Sequence, residues 1–113
     1  MEKIVWQGFL YDFYGELLTE HQRRIYEEVV FHDLSLSEIA QEQGITRQGV
    51  HDLIKRCDRI LEEYESKLHL VDKFQKTKAL AEQIQELLNQ YQKKGDSCLL
   101  TQAGEAARQI VQL

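Results

Sequence analysis

The stretch Ser35–Arg59, SLSEIAQEQGITRQGVHDLIKRCDR, decides how this chain folds. It reads as a short helix, a tight turn and a second helix. Ser35 with Glu38 three residues on forms a capping box for the first helix, because hydroxyl and carboxylate can each take a backbone N–H that the helix start leaves without a partner. Thr46 is a good N-cap for the second helix for the same reason. Gly44 falls between them, where the chain must turn sharply, and glycine enters the left-handed region without steric cost. Ala40, four residues earlier, is small enough to let two helices approach closely.

The spacing then sorts the faces. Ile39, Ile45, Val50 and Leu53 fall on the inner sides of the two helices, and Arg47, Gln48, His51, Asp52, Lys55 and Arg59 face outward on the second. This is the layout of a DNA-binding helix-turn-helix, whose second helix lies in the major groove with its first residues against base edges. The candidate DNA-binding residues are therefore Thr46, Arg47, Gln48, His51, Asp52, Lys55, Arg56 and Arg59. The Arg47 guanidinium matches guanine O6 and N7, and Gln48 can pair bidentately with adenine, each worth about 1–3 kcal/mol of discrimination. Lys55, Arg56 and Arg59 suit phosphate, which fixes register without reading sequence. Asp52 repels phosphate unless it accepts from cytosine or pairs with Lys55. Taken singly, each of these charges is an ordinary solvated side chain; their clustering after a well-formed turn points to nucleic acid. The plainer alternative is a helical corner in a small bundle that touches none.

Working outward, the chain lacks proline and shows no alternation of apolar and polar residues, so it reads as all-α. A first helix is expected from Glu2 to Leu18, with Lys3, Gln7, Asp12 and Glu16 as a narrow wet stripe. The rest of its surface is apolar, which calls for burial on more than one side. So small a domain has little surface to cover both, and a second subunit is expected against Trp6, Phe9, Leu10, Phe13 and Leu17. Thr19 and Gln22 make another capping box, followed by Ile25, Val29 and Val30 with Tyr26 beside them; His32 and Asp33 close that helix. Arg23 and Arg24 are solvated charges or phosphate contacts.

Beyond the turn, Val50, Leu53, Ile54, Cys57, Ile60, Leu61, Tyr64 and Leu68 keep a three-four rhythm, with Glu62, Glu63, Glu65 and Lys67 outside and a break at Leu68–Asp72. From Val71 to Tyr91, a second amphipathic stripe runs through Phe74, Leu80, Ala81, Ile84, Leu87, Leu88 and Tyr91. Lys93–Ser97 is an exit and linker. The last segment, CLLTQAGEAARQIVQL, either forms a short helix through Leu99, Leu100, Ala103, Ala107, Ile110 and Val111 or frays. The organisation is a helix-turn-helix domain over 1–69, an amphipathic helical arm over 70–94, and a linker with a short helix or frayed tail over 95–113.

Net charge is −5, which counts against strong general affinity for nucleic acid, but its distribution is uneven. Residues 1–43 carry nine acidic and three basic side chains, residues 44–60 two acidic and four basic, and residues 61–94 six of each. The only net-basic segment is thus the expected recognition helix. Cys57 and Cys98 are too far apart for a metal knuckle; Cys57 continues the inner face, and Cys98 reads as an exposed free thiol suited to a reducing compartment. His21, His32, His51 and His69 form no ligand pair such as HExxH, and no Gly-rich phosphate loop is present. No catalytic residue, metal or cofactor is expected, and the chain reads as a non-enzyme. No apolar run reaches a membrane span, and the amino terminus lacks the features of a secretory signal, so the protein is expected in the cytoplasm.

The run LTEHQRRIYEEVVFHDLSLSEIAQEQGITRQGVHDLIKRCDRILEEYESKL, residues 18–68, resembles region 4 of bacterial sigma factors, which reads a promoter element. Residues 3–93, with their aromatic start and late lysine-rich helix, resemble the YlxM family of small helix-turn-helix proteins. Genes of that family neighbour those of the signal recognition particle in low-GC Gram-positive bacteria. The resemblance implies a sigma region 4-like bundle with a long C-terminal helical arm, double-stranded DNA as partner, and a regulatory role in protein targeting. It places Thr46, Arg47, Gln48 and Gly49 at the start of the DNA-reading helix, with His51, Asp52, Lys55 and Arg56 following; Gly49 offers no side chain to a base. The runner-up is a protein-interaction module, or an RNA binder, acting on a protein or RNA component of the same pathway.

Overall fold

A computed structural model describes residues 1–113, which are helical with no strand. The helices are α1 (Lys3–Tyr14), α2 (Glu20–Tyr26), α3 (Leu36–Gln43), α4 (Arg47–Leu68), α5 (Leu70–Lys94) and α6 (Ser97–Val111), with a 3-10 turn at Gly15–Leu17 after α1 and a π turn at Glu27–Phe31 after α2. The chain divides into two compact units, Met1–His69 and Leu70–Leu113. At the boundary, His69 takes φ +56° and ends α4, its N–H returning to Glu65 O at 2.9 Å.

The first unit is built around Ile25, Ile39, Ala40 and Val50, with Val29, Leu34, Leu36, Leu53 and Ile54 packed on them. Leu10, Tyr14, Leu18, Tyr26, Cys57 and Leu61 are buried as well, so α1 and α2 both deliver side chains to the same interior as α4. The expected α1 stops at Tyr14 because the chain tightens over Gly15. A methyl built on Gly15 would lie 2.8 Å from the Tyr11 ring, so that ring occupies the space a side chain would need. Thr19 and Gln22 form both halves of their capping box. The helix they start widens into the π turn, where His32 N–H reaches Glu27 O at 3.0 Å. The Tyr26 and Phe31 rings sit 5.6 Å and 5.2 Å from that of Tyr11.

Four side chains of this unit that the spacing sorts depart from their expected faces. Leu68, expected on the inward rhythm, is 48% exposed at the end of α4. Ile45, expected inside, is 41% exposed. Its N–H closes back onto Ala40 O at 3.1 Å after the left-handed residue, which leaves the side chain on the surface over Gly49. Gln7, expected in the wet stripe, is half-buried and donates to Asp58 Oδ1 at 3.0 Å. Glu65, expected outside, is 7% exposed and accepts from the Tyr14 hydroxyl at 2.6 Å, because it continues the line of Cys57 and Leu61 on the side of α4 that meets α1.

The second unit is a helical hairpin. Gly95 turns the chain at φ +69°, and Asp96 caps α6 by accepting from Cys98 N–H at 2.9 Å. α6 is helical through Val111. Its inward side is Leu99, Ala103, Ala106 and Ile110, while Leu100, Ala107 and Val111, expected on that stripe, are exposed. On α5, Leu80, Ile84, Leu87 and Tyr91 are half-buried, while Phe74, Ala81 and Leu88, expected on the same stripe, are exposed. Both helices thus use a three-four repeat, the pattern by which paired helices interdigitate.

Candidate nucleic-acid interface

The corner between α3 and α4 is made by local chemistry. Gly44 sits at φ +68°, ψ +29°, and its N–H and that of Ile45 both return to Ala40 O, the closure typical of a glycine-terminated helix. Two residues later Thr46 Oγ1 accepts from Gly49 N–H at 2.9 Å and starts α4. At the other end of the unit, Ser35 Oγ accepts from Glu38 N–H at 3.1 Å and starts α3.

α4 is 22 residues long, and its inward positions Val50, Leu53, Ile54 and Cys57 leave the opposite side to water. There stand Thr46, Arg47, Gln48, Asp52, Lys55, Arg56 and Arg59, all exposed, with His51 half-buried among them. Arg47, Gln48 and His51 line one shallow depression with Leu36; Asp52, Lys55, Arg56 and Arg59 line a second. None of the four cations is held in an ion pair. By contrast Arg24, on α2, lies 3.7 Å from Glu20. Asp52 is engaged instead by its neighbours: Gln48 Nε2 donates to its Oδ1 at 2.9 Å, and His51 Nδ1 lies 4.0 Å from the same oxygen.

The rear of α4 is anchored by polar contacts that residue type alone does not announce. Gln7 and Tyr26 both donate to Asp58 Oδ1, at 3.0 and 2.7 Å, and Trp6 Nε1 donates to Glu62 Oε1 at 2.6 Å. With Tyr14 on Glu65, these bonds place three carboxylates of α4 against donors from α1 and α2. The signal in the sequence is the helical spacing of Asp58, Glu62 and Glu65 opposite a helix rich in tyrosine and tryptophan. Burial and the Asp58 carboxylate push the Tyr26 hydroxyl well above the usual phenol range, and burial with Glu27 pushes Tyr11 up to about 12. Burial likewise raises the Cys57 thiol to about 11, the mark of an inert packed cysteine, whereas Cys98 is exposed.

Of the residues expected to meet a second subunit, Leu10 is 1% exposed and belongs to the interior of its own unit, because α1 turns it directly toward α4. Trp6 and Phe9 are half-buried, and Phe13 and Leu17 are exposed.

Fold and corner together define a helix-turn-helix protein. A family model described as "Putative helix-turn-helix protein, YlxM / p13 like" matches residues 1–99, and the chain belongs to that family, UPF0122. Among its relatives are UPF0122 proteins of Geobacillus sp. (strain WCH70), 47% identical, and of Bacillus mycoides (strain KBAB4), 44% identical, each over 90 residues that cover 80% of this chain and 82% of the relative. The UPF0122 protein of Halalkalibacterium halodurans is 43% identical over 89 residues, 79% of this chain and 82% of its own length. No helix is long and apolar enough to cross a membrane.

Proposed function

We propose that the chain is a DNA-binding regulator that lays the first half of α4 in the major groove of duplex DNA. One observation carries this reading: Arg47, Lys55, Arg56 and Arg59 stand free of ion pairs on the solvent side of a helix that a left-handed glycine and a threonine cap hold in place. Arg47, Gln48 and His51, nearest the helix start, meet base edges; Lys55, Arg56 and Arg59 follow the phosphates. The sigma region 4 likeness supports the same docking, and the YlxM resemblance supports a cytoplasmic role in the signal recognition particle pathway. Two copies act together, which compensates for the small basic surface on a chain of net charge −5. Phe13 of α1 and Leu17 of the 3-10 turn after it, both exposed, supply the contact.

Binding of a mixed-sequence duplex, followed by fluorescence anisotropy across a salt series, tests this. Affinity is expected to fall steeply with salt, and Lys55→Ala to reduce the logarithmic slope by about one. A second reading rests on the open groove lined by Leu17, Ile60 and Tyr64 between the Glu63 and Lys67 side chains, which suits an apolar segment of a protein partner in that pathway. That reading replaces the first if duplex DNA is not retained at low ionic strength.

A further inference from the structure

An isolated glutamine on a recognition helix is an ambiguous reader. Its amide turns over about the last side-chain bond, presenting oxygen or nitrogen to the same spot. Gln48 is not isolated. Asp52 lies one turn further on, and its Oδ1 is 2.9 Å from Gln48 Nε2. An ionised carboxylate only accepts hydrogen bonds, so the amide must turn its nitrogen to Asp52 and its oxygen away. One N–H hydrogen suffices for that bond. The second hydrogen and Oε1 remain at the exposed edge, as an adjacent donor and acceptor.

Building on the DNA-binding reading above, we infer that Asp52 is a positioning residue that locks Gln48 to read adenine. In the major groove adenine offers the N7 acceptor beside the N6 amino donor, the complement of the locked amide edge. Guanine offers two acceptors, O6 and N7, which meet the Gln48 oxygen and the Asp52 carboxylate unfavourably. The negative charge that looks misplaced on a phosphate-binding helix thus exchanges general affinity for choice at one base pair, the logic by which specificity is built from repulsion as well as attraction. Both side chains are exposed and take no part in the core, so replacing either leaves the fold in place.

Selection from a randomised duplex library, run in parallel on the full chain and on Asp52→Ala, Asp52→Asn and Gln48→Ala, tests the inference, with unchanged circular dichroism melts as the folding control. The wild-type chain should enrich adenine over guanine at one position by roughly tenfold. Asp52→Ala should bind mixed-sequence DNA more tightly, yet its preference there should drop below about twofold. Asp52→Asn, whose amide can donate to the Gln48 oxygen as well as accept from its nitrogen, should weaken the adenine preference as Asp52→Ala does, and Gln48→Ala should erase it. An adenine preference that survives in Asp52→Ala overturns the positioning role, as does a cytosine preference untouched by Gln48→Ala, which would make the carboxylate itself the reader. If the wild-type chain captures no duplex at low salt, DNA binding itself fails and this inference falls with it. Binding with a base choice indifferent to Asp52 sinks the inference alone.

Discussion

Gly44 shows how one residue sets the angle at which a helix is presented. Its backbone is left-handed, and a methyl added there would meet nothing within 4 Å, so any cost of substitution is conformational. Gly44→Ala should destabilise the first unit by about 1–2 kcal/mol, read as a lower midpoint in urea with an unchanged slope. An unchanged midpoint would mean that the corner tolerates another geometry. Gly49 answers to packing instead: a methyl there would lie 3.2 Å from Thr46 Oγ1 and 3.8 Å from Ile45 Cδ1. Its bareness leaves room for the cap and for the exposed isoleucine. Both glycines are visible in the sequence, but only the first has a local signature; the second depends on where Ile45 came to rest.

Helix α4 serves two surfaces, and its rear contacts are what hold its front still. Asp58 takes donors from Gln7 and Tyr26, so Asp58→Ala would leave the buried Tyr26 hydroxyl without that acceptor, at about 1–3 kcal/mol. A urea titration checks this, and the exposed Asp52→Ala should show no comparable loss. The same burial gives the unit a sensitivity to alkali. Cys57, Tyr11 and Tyr26 all have folded pKa values raised above their ordinary ones, so between about pH 9 and 12 the unfolded chain releases protons that the folded chain keeps. Stability should decline as pH rises through that window. In a spectroscopic titration, Tyr11 and Tyr26 should ionise only above the ordinary phenol range. Thermal midpoints that stay flat to pH 11 would contradict this.

For the whole molecule, the proposed pairing of copies rests on the balance of charge and apolar surface. A single chain of 13.3 kDa offers four free cations on one helix, too few for tight binding at moderate salt. Light scattering at micromolar concentration should therefore report twice the chain mass. Leu17, 54% exposed beside the α4 groove, is the residue to test: Leu17→Asp should return the monomer with its helical circular dichroism unchanged and a thermal midpoint that no longer depends on concentration. A wild-type monomer would remove the second subunit from the reading and leave each chain to bind alone.

What the sequence determined by itself is what short range controls. The caps at Thr19, Ser35 and Thr46, the left-handed Gly44, the length of α4 and the outward set from Arg47 to Arg59 all depend on neighbours within a turn or two, and hydrogen-bond chemistry at that range leaves little freedom. Tertiary structure decided where polarity is a poor guide to position. Glu65 is buried because Tyr14, 51 residues away, supplies a donor, and Gln7 is drawn inward by Asp58 at the same separation. Leu10 went to its own core, and α6 turned by one position so that Ala106 rather than Ala107 faces inward. A buried polar group needs a partner, and which distant residue provides it is settled only when the helices meet.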